Sequence, residues 1–160
     1  MPLHEAARHG HAVVSSLVSA GADVNAPLNY NGNTPLHLAA AKGYEWVVWH
    51  LLVHGALHTK ENSRGRRALH EAAKGGHEAA VLKLLNGKSN IDACDNSGAT
   101  ALHDAVRGGH GLVAWILLKR SANRLAKLKS GKTPWDLARE LEDEHARTTM
   151  MSLLESQRRD

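Results

Sequence analysis

The chain has 160 residues and a formal net charge of +4, with 20 Lys and Arg against 16 Asp and Glu. An apolar fraction of 42% at this length suits one folded domain and excludes wholesale disorder. A single cysteine excludes an intrachain disulfide framework, and no apolar stretch has the roughly 18 residues of a spanning helix. The N-terminus lacks the basic start and apolar run of a secretory signal. We therefore expect a soluble intracellular protein of the cytoplasm, with the nucleus left open.

The chain repeats itself with a period of 33 residues. The motif Pro-Leu-His or Ala-Leu-His begins at positions 2, 35, 68 and 101, and a degraded copy, Pro-Trp-Asp, begins at position 134. A fixed period of this length is the signature of stacked repeats. We therefore predict one domain of five units, at approximately 1–28, 29–61, 62–94, 95–127 and 128–160, the last being a capping unit.

Each unit predicts two helices, as unit 2 illustrates. Thr34 is expected to cap the first helix, Pro35 suits its first position, and Gly43 ends it. The apolar residues between 47 and 52 have the i, i+4 spacing of a second helix, which Gly55 closes. The segments between units are rich in Asn, Asp and Gly, which predicts tight turns.

Two features depart from strict repetition. Lys88 and Ser121 stand where Gly21 and Gly55 end the second helices of units 1 and 2. Unit 5 continues through apolar residues at 150–154 into the polar segment 155–160. A stacked array needs a polar outer face at its ends, so this segment predicts a capping helix.

This pattern resembles the ankyrin repeat over essentially the whole chain. Asn33-Thr34-Pro35-Leu36-His37-Leu38-Ala39-Ala40, followed by Gly43, Leu51-Leu52 and Gly55-Ala56, matches it closely, and four copies are in phase. The resemblance implies an all-α solenoid of stacked antiparallel helix pairs with β-turn or hairpin loops. It also implies structural hydrogen bonds for the histidines at two repeat positions, namely His4, His37, His70, His103, His11, His77 and His110.

No motif for catalysis is complete. His50, His54 and His58 would align as metal ligands on a continuous helix, but Gly55 should end the helix before the third. A two-histidine surface site is the lesser alternative. Segment 4–9 has one residue too many for the zinc motif H-E-x-x-H, and segment 126–133 lacks the first glycine of a phosphate-binding loop. We predict no enzyme activity, no cofactor and no metal.

The resemblance implies that partner proteins bind the concave face, which is formed by the turn tips and the exposed side of the first helices. Register selects the candidate residues Tyr30, Asn31, Asn33, Lys42, Arg64, Arg66, Lys74, Arg107, Lys129 and Lys132. This set has cations and no acid, which favours an acidic partner. The alternative is an ordinary solvated face, since an acid stands three residues before each helix cation in the pairs Glu5–Arg8, Glu71–Lys74 and Asp104–Arg107.

A second candidate surface carries tryptophans. Trp46 and Trp49 lie on the second helix of unit 2, and Trp115 holds the place in unit 4 that Trp49 holds in unit 2. Ankyrin repeats usually carry polar residues there, so the resemblance places these rings on the convex side. These tryptophans could contact a partner protein, or they could be partly buried against neighbouring helices, and the sequence leaves both alternatives open.

The function that fits best is a non-catalytic protein–protein interaction module or scaffold. One alternative is nucleic-acid or polyanion binding through the basic residues at the turn tips, which the modest net charge and scarce aromatics disfavour. These residues are Arg64, Arg66, Arg67, Lys129 and Lys132. Another is a fragment of a larger protein, or an engineered array, with its activity elsewhere. As a surface residue, Arg66 should tolerate charge reversal with little change in melting temperature.

Overall fold

The computed structural model describes residues 1–10, 12–28 and 30–156. Within these residues all regular structure is helical, which confirms the all-α prediction, and each unit contributes two helices. The helices are α1 (Pro2–His9), α2 (Val13–Ser19), α3 (Pro35–Lys42), α4 (Glu45–Val53), α5 (Ala68–Lys74), α6 (Glu78–Asn86), α7 (Ala101–Arg107), α8 (Gly111–Lys119), α9 (Pro134–Arg139) and α10 (Glu144–Ser156).

The helices form two layers. The first helices α1, α3, α5, α7 and α9 pack side by side in chain order, and the second helices α4, α6, α8 and α10 do the same behind them. Each first helix also packs on the second helix of its own unit. This is the stacked solenoid that the repeat period predicts. In the described part of the chain, no helix combines the length and apolarity needed to cross a bilayer.

Small aliphatic side chains fill the space between the layers. Ala39 and Ala40 are fully buried, and so is Leu51 from the second layer. The apolar core is one continuous cluster from Leu3 to Leu154. Alanine keeps the first helices thin, so neighbouring units approach closely. The core therefore packs without large aromatic side chains, and the chain has no phenylalanine.

The helix ends follow the local sequence where it supplies a cap. Thr34 is the N-cap of α3, Pro35 is its first residue, and Gly43 ends it with φ at 72°. Lys88 and Ser121 adopt φ values of 64° and 67°, in the left-handed region that favours glycine. A side chain in that region costs roughly 1–2 kcal/mol. The same helix-ending hydrogen bond forms there as after Gly55, from the N–H of Ser89 to Leu84 and from that of Ala122 to Leu117, so the backbone path is kept where the sequence offers no glycine.

Backbone hydrogen bonds join the turn tips into a continuous ridge. Within each of the four tips an N–H donates across the turn to a carbonyl oxygen at 2.9 Å. Three further bonds of 2.9 Å link one tip to the next, from Ser63 to Asn31, from Asn96 to Arg64 and from Lys129 to Ser97. The ridge holds the candidate tip residues in fixed register along the array.

The second helix of unit 5 lies at the end of the stack. Helix α10 buries Met150 and Leu154 against α8 and leaves Glu155 exposed. The capping role of this helix stays a prediction. The last part of the predicted polar segment, residues 157–160, lies outside the described residues.

Candidate partner-binding site

Buried histidines link unit 2 to unit 3 and unit 3 to unit 4. The Nδ1 atom of His37 accepts the backbone N–H of Thr34 at 3.2 Å, so Nε2 carries the proton and donates to the carbonyl oxygen of Arg66 at 2.9 Å. His70 makes the same kind of contact, with Nε2 at 3.0 Å from the carbonyl oxygen of Ala99 in unit 4. Burial lowers the pKa of both imidazoles, although nearby hydrogen bonds and carboxylates oppose it. These side chains are structural, as the resemblance implies.

The second histidine position also links units. Nε2 of His77 donates to the carbonyl oxygen of Ala41 at 3.1 Å, and Nε2 of His110 donates to that of Lys74 at 3.0 Å. The ring of His110 lies so close to Gly76 that a Cβ there would come within 2.5 Å of it. The prediction of a positional role is confirmed for these two residues. His11 lies outside the described residues.

The first tip presents polar side chains. The Tyr30 side chain is exposed, and its hydroxyl accepts a hydrogen bond from Nη2 of Arg8 at 3.3 Å. The Oδ1 atom of Asn31 accepts a hydrogen bond from the backbone N–H of Asn33 at 3.0 Å. The Oδ1 atom of Asn33 in turn accepts one from Nδ2 of Asn62 at 2.8 Å. The amides of Asn31 and Asn33 therefore shape the tip, whereas the Tyr30 ring projects into solvent.

Arg66 is buried, which corrects its prediction as an exposed tip cation. Only 8% of the residue is exposed, and it reaches across the boundary between units 3 and 4. Its Nε contacts Glu71 at 2.7 Å, its Nη1 contacts Asp95 at 3.3 Å, and its Nη2 contacts Asp104 at 3.1 Å. A guanidinium presents its donors in a rigid fork, so one side chain can serve several carboxylates. The expectation that Arg66 tolerates charge reversal is wrong for the same reason.

Burial and pairing oppose each other in this cluster. Burial raises the pKa of Asp104, and Arg66 pulls it back towards its ordinary value. Burial would also raise the pKa of Asp95, but hydrogen bonds from Ser97 and from the N–H of Ala99 hold it below its ordinary value. The charge on Arg66 therefore offsets part of the cost of burying the Asp104 carboxyl group.

The remaining cations of the concave face fall into two groups. Arg107 lies 3.7 Å from Asp104, and Lys132 contacts Glu140 at 2.6 Å. The second group takes part in no ion pair among the described residues and comprises Lys42, Arg64, Lys74 and Lys129. The predicted pairing of Glu71 with Lys74 is absent from the described part of the chain, because Glu71 turns towards Arg66.

An open groove lies on the concave face at the boundary between units 3 and 4. Its floor holds Arg66 with Asp95 and Asp104, and its rim carries cations. The other lining residues are Ser63, Arg64, Lys74, Asn96, Ser97, Arg107 and Gly108. The interpretation of this face as free of acids missed Asp95. The alternative that an acid stands three residues before each helix cation holds for Asp104 with Arg107, 3.7 Å apart, and for Glu5 with Arg8, 3.9 Å apart.

The tryptophans on the convex face are half exposed. Trp46, Trp49 and Trp115 retain 44%, 47% and 46% of their accessible surface. Trp46 stacks on the His50 ring, with centroids 5.1 Å apart and planes 17° from parallel. Packing and exposure thus occur together at Trp46, and each of the three tryptophans keeps nearly half of its surface in solvent.

His50, His54 and His58 of unit 2 do not lie on one continuous helix. His50 lies on α4, His54 is the residue that ends it, and His58 follows in the turn beyond Gly55. The Nδ1 atom of His54 hydrogen-bonds the carbonyl oxygen of His50 at 2.8 Å. In the part of the chain that the structure describes, no three His, Cys, Asp or Glu side chains are arranged to hold a metal ion.

Stacked helix pairs with a ridge of hydrogen-bonded turn tips define a helical repeat protein with an extended concave face. A family model described as ankyrin repeats (3 copies) matches residues 1–62 and 50–127. The chain belongs to the ankyrin repeat family, whose repeats are generally protein-interaction modules and typically not enzymes. Unit 5 lies beyond the matched residues. Among curated proteins, none gives a match.

Proposed function

We propose that the chain is a non-catalytic interaction module that holds a partner protein on its concave face. The observation that carries this proposal is the groove between units 3 and 4, where Arg64 and Lys74 stand at the rim without ion-pair partners among the described residues. Exposed charges of this kind raise the encounter rate and select among partners. A partner with acidic side chains suits the rim.

Nucleic-acid binding through the tips has less support. The candidate cations Arg66, Arg67 and Lys132 are already matched by carboxylates, which leaves less positive charge for phosphate contacts. Tyr30 is the aromatic side chain at the tips, and it lies on the first tip, away from the groove. Among the described residues, the rim of the groove therefore has no aromatic side chain on which a base could stack.

Capture from a cell extract, followed by binding measurements with the purified partner, tests the proposal. The Arg64→Glu/Lys74→Glu variant should raise the Kd about tenfold or more, since reversed rim charges repel an acidic partner. A matched control is Lys83→Glu/Lys127→Glu, which makes the same change of charge on exposed residues outside the groove. Equal binding by both variants would contradict the concave site. Loss of capture after nuclease treatment would point to a nucleic acid instead.

A further inference from the structure

An apolar stripe runs across three consecutive helices of the convex face. It occupies two repeat positions on α4, α6 and α8, which pack against one another in that order. None of its six residues carries a charge, and they are Trp46, Trp49, Ala79, Leu82, Leu112 and Trp115. Leu112 is 62% exposed, and the three tryptophans are nearly half exposed. In unit 5 both positions are taken by exposed polar residues, His145 and Thr148, so the stripe ends after α8. In unit 1 the exposed Val13 at the start of α2 extends it.

Ala79 and Leu82 of α6 are half-buried, so the exposed apolar surface is concentrated on α4 and α8. Exposed apolar side chains grouped in this way mark an interaction site. Tryptophan is enriched in the cores of protein interfaces, where its large ring is withdrawn from water. The stripe lies on the second helices, whereas the groove lies between the tips and first helices of units 3 and 4. It therefore belongs to a surface separate from the one assigned to the partner protein.

Charges of opposite sign border the stripe. Glu45 and Glu78 begin α4 and α6, and both are exposed along one edge. Lys88 follows α6 and Lys119 ends α8, and both are exposed along the other edge. Along the helices, from their N-terminal to their C-terminal ends, the surface is therefore first acidic, then apolar and then basic.

We propose that this stripe is the contact surface of a homodimer, in which two copies pack convex face to convex face. A two-fold interface uses the same patch on both chains, so the patch must complement itself. A two-fold axis parallel to the array places the acidic edge of one copy over the basic edge of the other. Glu78 of one copy then faces Lys88 of the second copy, and this contact occurs twice. An axis along the helices would set like charges against each other.

Sedimentation from low to high micromolar concentration tests the dimer. The Trp49→Gln/Trp115→Gln variant should raise the dimer Kd about tenfold or more, because it removes aromatic anchors from the interface core. Leu57→Gln/Leu125→Gln is the matched control, since these exposed leucines lie outside the stripe, and it should leave the Kd unchanged. A wild-type chain that stays monomeric, or a dimer that the tryptophan variant leaves intact, would overturn the proposal.

Charge exchange tests the orientation of the two copies. Glu78→Lys and Lys88→Glu should each weaken the dimer about fivefold or more, since each sets like charges together twice. An equimolar mixture of the two variants should regain dimer as a heterodimer, because both contacts are then between opposite charges. Failure of the mixture to regain dimer would refute the parallel arrangement. A blue shift of tryptophan emission on adding phosphatidylcholine vesicles to a monomeric chain would identify a lipid surface as the occupant and overturn the proposal.

Discussion

Replacing Arg66 by methionine removes the cation that joins Glu71, Asp95 and Asp104 while keeping most of the side-chain volume. Asp104 is 3% exposed, so its carboxylate would remain out of water with Arg107 at 3.7 Å as its nearest cation. Removing one partner of a buried ion pair costs about 3–5 kcal/mol, because the other charge stays buried. We expect a loss of this size in the free energy of unfolding near neutral pH.

Lys132→Met is the matched control, since Lys132 holds the repeat position of Arg66 in unit 5. Its contact with Glu140 is exposed, and exposed pairs contribute about 0.2–1 kcal/mol. Urea unfolding followed by circular dichroism measures both losses. The loss for Arg66→Met should shrink in mild acid, because without Arg66 the pKa of Asp104 rises further and protonation removes the buried charge. A loss equal to that of the control at both pH values would mean that Arg66 is solvated, which would refute the reasoning.

Two further predictions concern the backbone and the histidines. Ser121→Gly should stabilise the folded chain by about 1 kcal/mol, because it removes a side chain from a residue with φ at 67°. Ser16→Gly, inside α2, is the control and should cost about 0.5–1 kcal/mol. A lower urea midpoint for Ser121→Gly would show that the backbone at Ser121 is not strained. Stability should fall as the pH decreases below about 6.5, the pKa of an unfolded histidine, because burial lowers the pKa of His37 and His70 and the folded state resists protonation. As the pH decreases, the urea midpoint should fall less steeply for His37→Gln than for the wild type. Equal dependence of the urea midpoint on pH in the two proteins would contradict this account.

The features that the sequence predicts correctly depend on local chemistry and on the repeat position. Thr34 and Gly43 mark the ends of α3 by short-range rules, and His37 and His77 have the roles that their positions imply. These rules apply to every unit in the same way. The sequence therefore predicts the architecture and the structural histidines.

The fate of a tip cation depends on the neighbouring unit, so the repeat position alone does not predict it. Arg66 and Lys132 share a position, yet Arg66 is buried and Lys132 is exposed. The difference comes from Asp95 and Asp104, which lie 29 and 38 residues from Arg66 in sequence and enter the same space. No counterpart of α7 follows unit 5 in the described part of the chain. Long-range packing therefore decides which candidate cations can meet a partner.

Burying Arg66 removes a cation from the concave face, but it also fixes the turns that carry the others. Asp95 contacts Arg66 and accepts the N–H groups of Ser97 and Ala99 at 2.8 and 3.0 Å, so the unit 4 tip is tied to unit 3. The next tip bond, from Asn96 to Arg64, holds the rim at the same boundary. A partner pays less conformational entropy when the surface that it meets is already ordered. The cluster that weakens the electrostatic case for an acidic partner thus strengthens the structural case for a binding groove between units 3 and 4.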